Sequence, residues 1–410
     1  MKLIILTQYF PPEVGAPQNR LFELAVRLRK VGMDVTIMTA MPNYPQMKVH
    51  KGYRWRLHKK EVMEGMTVHR SWIYAGSSKR IIPRLFNYFS FVFSSMLVGL
   101  FVLRKSDFLM VESPPLFLGI SARFLCRMKR AKMIFNVSDL WPESAEKLGL
   151  VTNRTMLNWA YKLERHCYKK SALITGQTQG ICRDIQKRFP QKKVYWLKNG
   201  VDINFYDFKK QNSGAWRKEH AFSDNDFILF YGGILGFAQG LEVILKAASR
   251  LKEHTNIKFL ILGSGPEKDK LITMKHDLHL DTVVFLDAVP KSQMQEIIAS
   301  TNASIVPLKR NDLFKGAIPS KIFENLALKK PILLGVEGEA KELFIDTGKC
   351  GLFFTPENDE ELAIQILELY RNPALVEEMG ENGHKFASVN FNRDIIASEL
   401  FEEIQKLKTK

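Results

Sequence analysis

The sequence predicts an α/β protein made of two doubly wound domains in tandem, and three observations support this class. The chain has 410 residues, which exceeds what a single hydrophobic core usually supports. Short apolar segments alternate with helical patterns from one end of the chain to the other, as they do in α/β units. The apolar segments lack polar alternation, which is typical of strands buried on both faces of a parallel sheet.

The predicted strands fall into two series, each with helices between its strands. In the first series, strands are expected at 2–6, 34–39, 68–73, 108–112, 133–137 and 173–175, and helices at 20–31 and 116–129. In the second series, strands are expected at 228–231, 258–262, 283–286, 303–306 and 332–334, and helices at 241–252, 293–299 and 320–328. Each series therefore predicts one doubly wound domain.

A turn-rich and polar region separates the two series. It consists of the turn 199–202 and the polar stretch 209–226, and such composition marks a linker. We expect an N-terminal domain at 1–203 and a C-terminal domain at 204–390, followed by a helix at about 391–410 whose composition does not say where it packs. Ligands of doubly wound domains bind at the carboxyl ends of the strands, so a substrate is expected between the two domains.

The chain carries 60 Lys and Arg against 43 Asp and Glu, a net charge of +17. Such an excess favours a phosphate-bearing ligand, nucleic acid or an acidic membrane surface as a partner. The cysteines are Cys126, Cys167, Cys182 and Cys350. They form no C-x-x-C pair and no zinc spacing, so they are expected to be buried thiols in a reducing compartment. The apolar run 2–6 is too short for a signal-peptide core, and we expect a cytoplasmic protein.

Glycines cluster where the predicted strand 228–231 meets the helix that follows it. The members of this glycine turn are Gly232, Gly233, Gly236 and Gly240, with Gln239 among them. Glycine lets a backbone approach a ligand closely, and a helix N-terminus presents free N–H groups to an anion. A tight turn without a ligand explains the pattern equally well, because glycine turns alone are weak evidence.

A second glycine turn, with Gly263 and Gly265, follows the predicted strand 258–262. It is a fragment of a dinucleotide-binding fingerprint that lacks the third glycine. A purely structural turn is the better interpretation of this segment taken alone.

A lysine stands at an unusual place, the start of a predicted helix. Ser320 follows Pro319 and is the predicted N-cap, so Lys321 lies in the first turn, where the helix dipole disfavours a cation unless an anion is near. A diphosphate would bind Lys321 and the free N–H groups together. Glu324 lies one turn on, on the same face, and suits a ribose diol. A capped helix with a surface Lys–Glu pair is the alternative. The additional cations in 307–310 favour the diphosphate-binding interpretation.

The loop 138–144 follows a strand and carries Asp139, Trp141 and Glu143. Loops at the carboxyl ends of strands hold catalytic residues more often than cores do, and the tryptophan is of the kind expected to be exposed. An Asp139 that merely caps the next helix is an equally good interpretation.

The loop 9–20 is long for a strand–helix connection, and long loops of this kind tend to be functional. Gly15 can bring backbone N–H groups close to a ligand, and Glu13 supplies a carboxylate. A proline-stiffened surface loop is the alternative.

The apolar segment 81–103 approaches the length that spans a bilayer. Its basic flanks are Lys79, Arg80, Arg84, Arg104 and Lys105. A spanning helix would put strands of one sheet on both sides of a membrane, so that interpretation fails. A buried core helix and a helix that dips into an anionic membrane face remain, and the flanks and net charge favour the membrane.

Neither a metal nor a nucleic acid is an expected partner. Asp224-Asn225-Asp226 resembles an acidic D-x-D metal motif, but it lies in the polar stretch before a strand, where a turn is the better interpretation. The nine histidines have no metal-ligand spacing. The positive charge is dispersed and no nucleic-acid module is recognisable.

Together these motifs resemble glycosyltransferase family 4, the retaining transferases of the GT-B fold, over essentially the whole chain. The resemblance lies in residues 9–12, 138–143, 232–240 and 319–321 with Glu324. The closer likeness is to the subgroup that includes bacterial L-fucosamine transferases of O-antigen and capsule assembly.

The resemblance implies two Rossmann-like domains that face each other across a cleft, with the last helix crossing back to the N-terminal domain. It implies a UDP-sugar donor of a deoxyhexosamine or hexosamine type, bound mainly by the C-terminal domain without a metal or other cofactor. It also implies a polyprenyl-diphosphate-linked saccharide acceptor in the N-terminal domain. Donor contacts are then expected from Gly15, Gly232, Gly233, Gly236, Gln239, Gly240, Gly263, Gly265, Pro319, Ser320, Lys321 and Glu324. Acceptor contacts are expected from Glu13 and Trp141.

The chain departs from the family in two places. Gly316 stands where many members have the first of two glutamates around the donor helix. Ile234 and Gln239 stand where many members have an arginine and a lysine in the glycine-rich turn. Lys321 is therefore the main predicted side-chain cation for the diphosphate.

The expected mechanism uses Lys321, assisted by Lys309 or Arg310, to stabilise the departing UDP. Asp139 or Glu143 is expected to orient or deprotonate the acceptor hydroxyl. We expect the protein at the inner face of the bacterial cytoplasmic membrane, held there through 81–103. A GT-B epimerase or phosphorylase that acts on similar donors is the alternative, and a basic nucleic-acid-binding protein is a remoter one.

Overall fold

The computed structural model describes residues 1–13, 15–44, 47–76, 81–147, 149, 151–210 and 213–408. It consists of two compact α/β units. The N-terminal unit comprises Met1–Asn199 together with Arg393–Lys410, and the C-terminal unit comprises Gly200–Asn392. The division between them falls four residues before the boundary expected from the sequence.

The N-terminal unit is built on a largely parallel sheet. Its strands are β1 (Lys2–Leu6), β2 (Asp34–Ala40), β3 (His58–Met63), β4 (Met66–Ser71), β5 (Phe108–Ser113), β6 (Lys132–Val137), β7 (Leu173–Gly176) and β8 (Val194–Trp196). The strand order is β3-β4-β2-β1-β5-β6-β7-β8, and the β3–β4 pair is antiparallel. Later strands therefore lie on both sides of β1, so the C-terminal end of β1 is at a topological switch point, where ligands bind in doubly wound sheets.

Helices cover both faces of this sheet. They are α1 (Ala16–Lys30), α2 (Ile81–Val102), α3 (Leu118–Lys129), α4 (Glu143–Lys147), α5 (Arg154–Lys170), α6 (Gln179–Arg188) and the C-terminal helix (Arg393–Lys408). One apolar cluster joins the sheet to α2, α3 and α5. A second cluster joins the opposite face to α1 and the C-terminal helix, through side chains such as Leu28 and Leu400.

The C-terminal unit has a sheet whose described strand pairs are all parallel. Its strands are β9 (Phe227–Ile234), β10 (Ile257–Ser264), β11 (Val283–Leu286), β12 (Ala303–Pro307), β13 (Ile332–Gly335) and β14 (Gly351–Phe353), in the order β11-β10-β9-β12-β13-β14. The chain moves outward from β9 in one direction, then returns to its other side at β12. The C-terminal end of β9 is thus the switch point of this unit.

The helices of the C-terminal unit follow the strands in alternation. They are α7 (Ser213–Glu219), α8 (Glu242–Arg250), α9 (Lys268–Asp277), α10 (Lys291–Ala299), α11 (Lys321–Ala327), α12 (Glu339–Lys341) with a π-helical turn at Glu342–Thr347, α13 (Asp359–Arg371) and α14 (Pro373–Asn390). Two doubly wound sheets, one largely parallel and one with only parallel pairs among its described strands, confirm the predicted α/β class.

The strands that the sequence did not predict, β3, β8 and β14, lie at sheet edges. β3 reads His-Lys-Lys-Glu-Val-Met, with no apolar run, because an edge strand is half exposed and charges protect it from pairing with other chains. The strand expected at 68–73 is β4, which starts two residues earlier.

Candidate functional site

The glycine turn lies at the switch point of the C-terminal unit. Gly233 has φ +146°, a conformation that L side chains rarely adopt, and a Cβ atom there would lie 3.1 Å from Lys321 Nζ. Gly240 has φ +58° and closes the short 3₁₀ turn Phe237–Gln239. The backbone angle therefore favours glycine at Gly233, and the amine of Lys321 lies close to its backbone.

The structure brings Lys321 to this turn from a segment far along the chain. Its Nζ lies 3.6 Å from the centre of the Tyr231 ring, a cation–π distance. Tyr231 is itself held in place, because its hydroxyl donates to the Ile234 carbonyl oxygen over 2.8 Å. Burial lowers the pKa of Lys321 to about 7, and the charge of Glu324 acts weakly in the opposite direction. An anion beside this amine would reverse the shift.

Lys309 approaches the same turn from the segment that follows β12. Its Nζ lies 3.3 Å from the centre of the Phe237 ring, and its N–H donates to the Ala238 carbonyl oxygen over 2.9 Å. Arg310 is exposed, and its N–H donates to the Glu357 carboxylate over 2.9 Å. Of these two predicted assisting cations, Lys309 is the one whose side chain lies against the glycine turn.

Ser320 is not a side-chain cap, contrary to the prediction. Its φ and ψ of −61° and −26° are helical, and its side chain makes no capping hydrogen bond. The chain is already helical there, since the Ile322 N–H donates to the Pro319 carbonyl oxygen. Pro319, Ser320 and Glu324 are half-buried, and their predicted contacts with a donor stay a prediction.

Gly263 and Gly265 have a packing role. A Cβ atom on Gly263 would lie 1.8 Å from the Gly233 carbonyl oxygen, and one on Gly265 would lie 2.2 Å from the Leu235 carbonyl oxygen. These glycines allow the end of β10 to pair closely with the end of β9. Their predicted contact with a donor stays a prediction beside this structural reason.

In the N-terminal unit, the first loop is shorter than the sequence indicated. Helix α1 begins at Ala16, with Pro17 in its first turn, where proline is favoured; Gly15 ends the loop, and Val14 lies outside the described residues. Glu13 is buried. Its carboxylate accepts N–H groups from Asn43, Tyr44 and Phe10, over 2.7, 2.8 and 3.1 Å.

Burial raises the pKa of Glu13, and the three N–H donors act in the opposite direction. The carboxylate therefore fastens the first loop to the loop after β2. Its contact with an acceptor stays a prediction.

The second predicted loop places its two carboxylates differently. Asp139 is exposed and accepts a hydrogen bond from Ser144 Oγ over 2.7 Å. Glu143 pairs with Lys147 over 2.5 Å on α4. Trp141, expected to be exposed, is half-buried, because its ring packs edge-on against Phe117 with centroids 5.4 Å apart.

A buried network that the sequence reasoning missed lies between these loops. Glu112, at the end of β5, is only 4% exposed. Arg20 Nη2 donates to it and to Ser138 Oγ, each over 2.6 Å, and Asn136 and Ser138 also donate to the carboxylate. The sequence signal that could have revealed this network is Glu112 itself, an acidic residue at the end of an otherwise apolar strand. A charge buried at such a position requires a partner.

Helix α2 occupies nearly all of the segment 81–103 and is partly buried and partly exposed. Its residues Leu85–Val102 are long and apolar enough to cross a membrane by length and composition, yet a third of that window is buried in the protein. Phe91 is buried in the core, whereas Phe86, Phe93 and Phe101 are 64%, 69% and 77% exposed. Lys79 and Arg80 lie outside the described residues, as does the side chain of Arg84.

Within the described parts of the chain, no three His, Cys, Asp or Glu side chains are grouped so that they could hold a metal ion. The D-x-D-like segment forms a turn, in which Asp226 accepts the Ser223 N–H over 2.8 Å.

Two family models match the chain in tandem. The "Glycosyl transferase 4-like domain" matches residues 15–200, and "Glycosyl transferases group 1" matches residues 212–386. Between them they account for most of both units.

Known proteins similar to this chain carry transferase names. One is the "Putative colanic acid biosynthesis glycosyl transferase WcaI" of Escherichia coli K12, 24% identical over 99% of this chain and 100% of that protein. Another, from Campylobacter jejuni, is "N-acetylgalactosamine-N,N'-diacetylbacillosaminyl-diphospho-undecaprenol 4-alpha-N-acetylgalactosaminyltransferase", 27% identical over 48% of this chain and 50% of that protein.

The fold also matches solved structures. Anabaena HepE in complex with UDP-glucose is 16% identical, with a TM-score of 0.72 over 99% of this chain and 100% of that chain. The predicted GT-B fold is thereby confirmed. The chain joins a glycosyl transferase 4-like domain to a glycosyl transferases group 1 domain, and it belongs to the glycosyltransferases of the GT-B fold.

Proposed function

We propose that the chain transfers a sugar from a UDP-sugar, with retention at the anomeric carbon, to a polyprenyl-diphosphate-linked saccharide. The observation that carries the donor half is the Lys321 amine, held against Tyr231 and Gly233 at the switch point of the C-terminal unit. A cation in a partly desolvated position beside a glycine turn is suited to a diphosphate. The fold likeness to a protein bound to UDP-glucose supports this donor class.

In this proposal Lys321 stabilises the negative charge that builds on the departing UDP. Lys309 adds a second cation at the other side of the turn, and Glu324 accepts hydrogen bonds from the ribose. The chain uses no metal for this step. Asp139 or Glu143 orients or deprotonates the acceptor hydroxyl.

The acceptor and pathway are proposed from the relatives. One relative's name specifies a diphospho-undecaprenol-linked saccharide, and another's specifies colanic acid biosynthesis. We therefore place the reaction in polysaccharide biosynthesis, in O-antigen or capsule assembly. The likeness to L-fucosamine transferases makes UDP-activated N-acetylated deoxyhexosamines and hexosamines the donors to test first.

The reaction is proposed to take place in the cytoplasm, with the protein peripheral on the inner membrane face. The support is the exposed apolar side of α2, with Phe86, Phe93 and Phe101, together with the net charge of +17.

The test is mass spectrometry of products from a panel of UDP-sugars with undecaprenyl-diphosphate-linked saccharides. Lys321→Met is expected to weaken UDP binding roughly ten- to hundredfold, since a hydrogen bond to a charged group contributes about 1.5–3 kcal/mol. Calorimetry with UDP measures this directly.

Lys330→Met is the matched control, because burial lowers the pKa of Lys330 to about 8 but Lys330 is assigned no role in donor binding. Full transfer by Lys321→Met would refute the donor site. Turnover of UDP-sugar without an acceptor would instead indicate an epimerase.

A further inference from the structure

The N-terminal unit has a large apolar pocket to which the proposed function above assigns no role. Its volume is about 1210 Å³, and α2, the start of α3 and the segment from Val151 into α5 line it. Phe89, Phe117, Ile120 and Trp159 form its apolar body. Ligand pockets commonly measure about 300–1,000 Å³, so this one has room for a long apolar ligand.

Several of these apolar side chains are open to solvent. Trp159 is 72% exposed, Phe89 43% and Ile120 39%. Contiguous exposed apolar surface on a folded protein marks a binding site more often than an accident of packing.

The polar part of the lining indicates what kind of ligand fits. Thr152, Asn153, Thr155 and Lys162 also line the pocket, and none of its described lining residues is acidic. An apolar body with a polar, cationic margin matches an amphiphile that has a hydrocarbon chain and an anionic head.

The pocket lies next to the loop that the proposed function assigns to the acceptor. Phe117, which lines the pocket, packs against Trp141 with ring centroids 5.4 Å apart. Trp141 belongs to the loop that carries Asp139, which the proposed function assigns to the acceptor. The pocket lining thus contacts the acceptor loop through Phe117 and Trp141, inside one unit.

We propose that this pocket binds the hydrocarbon chain of the lipid-linked acceptor, a proposal that rests on the proposed function above. Burial of the chain against Trp159 and Ile120 would hold the lipid while its saccharide reaches the acceptor loop. Each apolar group removed from water strengthens binding.

The binding test uses farnesyl diphosphate, a water-soluble isoprenoid diphosphate, with inorganic diphosphate as the comparison. The signal is the tryptophan fluorescence of the full chain minus that of Trp159→Phe. Farnesyl diphosphate below its critical micelle concentration is expected to shift the Trp159 emission to the blue and to saturate. Inorganic diphosphate is expected to leave it unchanged.

A matched pair of variants on α3 locates the site. Ile120→Asn is expected to weaken farnesyl diphosphate binding at least tenfold, because Ile120 lines the pocket. Met128→Asn, also exposed (47%) on α3 but outside the pocket lining, is expected to bind as the wild type does. Circular dichroism spectra of both variants establish that they fold.

Four results would overturn the assignment. An equal response to inorganic diphosphate would indicate an anion site, and an equal loss in both variants would indicate a general effect of α3. A response to anionic phospholipid vesicles but not to farnesyl diphosphate would indicate a membrane contact surface. Farnesyl diphosphate binding without sugar transfer would support the pocket assignment and refute the proposed function. Sugar transfer without farnesyl diphosphate binding would support the proposed function and refute the pocket assignment.

Discussion

The charge state of Lys321 is the residue-scale feature on which donor binding depends. Burial brings its pKa down to about 7, so the free protein holds this amine only partly protonated near neutral pH. A bound diphosphate adds negative charge beside it and raises its pKa. Donor binding therefore takes up a proton at pH values between about 7 and the higher pKa of the bound state.

UDP affinity is accordingly expected to fall as the pH rises above about 7, by up to tenfold per pH unit until the pKa of the bound state is reached. Below about pH 7 Lys321 is already protonated in the free protein, so its titration no longer changes the affinity for UDP. Between about pH 7.5 and 9 the phosphate of UDP is fully ionised, since phosphate has its second pKa near about 6. A change of UDP affinity in this range therefore reports the titration of Lys321 and not that of UDP.

Calorimetry of UDP binding in two buffers of different ionisation enthalpy measures the proton uptake. The uptake is expected to disappear in Lys321→Met and to persist in Lys330→Met. A proton uptake that survives in Lys321→Met would contradict the assignment.

The buried Arg20–Glu112 pair is a second residue-scale feature with a measurable consequence. Arg20→Leu leaves Glu112 buried without its cation, which is expected to cost about 3–5 kcal/mol of stability. Arg154→Leu is the control, because Arg154 is 82% exposed in its pair with Glu146 and such pairs contribute less than about 1 kcal/mol. Amide hydrogen exchange of β5 and β6 in the full chain measures the loss of stability in both variants. Equal losses would show that burial of the Arg20–Glu112 pair is unimportant.

At the scale of elements, the sequence predicts the central strands well and the edges poorly. Strand β5 is buried along its whole length, and β1 is buried at every residue after Lys2, so their apolar runs are visible without any structure. Edge strands such as β3 carry charge, and a β-strand of that composition has no periodic signal.

The residues of the candidate site also fall into two groups, those recognisable from the sequence and those that only the fold brings together. The glycine turn and Lys321 were recognisable because glycine and a misplaced charge are local signals. Glu112 and Arg20 lie 92 residues apart in the chain, and only the fold brings them together. The half-buried state of Trp141 likewise depends on Phe117 of another element.

The C-terminal helix is the element that returns to the N-terminal unit, and its inward face is expected to be essential to that unit. Leu400→Ala, at a fully buried position, is expected to cost about 2–5 kcal/mol because it leaves a cavity in the core. Ile395→Ala, 40% exposed on the same helix, is expected to cost less than about 1 kcal/mol. Exchange protection of α1, which packs against this helix, is the measurement; equal losses in the two variants would contradict the packing argument.

At the scale of the molecule, positive charge and exposed apolar surface coincide in one stretch of the chain. Residues 81–130 contain seven Lys and Arg but only two acids, Asp107 and Glu112. Glu112 is buried against Arg20, and Asp107 accepts the Lys2 N–H over 2.8 Å. The stretch that contains the exposed face of α2 is therefore strongly cationic, as a surface that meets anionic lipid should be.

Binding of the full chain to vesicles tests this coincidence. The wild type is expected to sediment with anionic vesicles, more weakly at high salt because screening shortens the range of its charges, and hardly at all with neutral vesicles. Phe93→Ser combined with Phe101→Ser is expected to weaken binding at least tenfold, since each buried aromatic side chain contributes about 1.5–3 kcal/mol. Trp55→Ser is the control, because Trp55 is fully exposed outside α2. Unchanged binding in the double variant would show that charge alone holds the protein at the membrane and that the apolar face of α2 has another use.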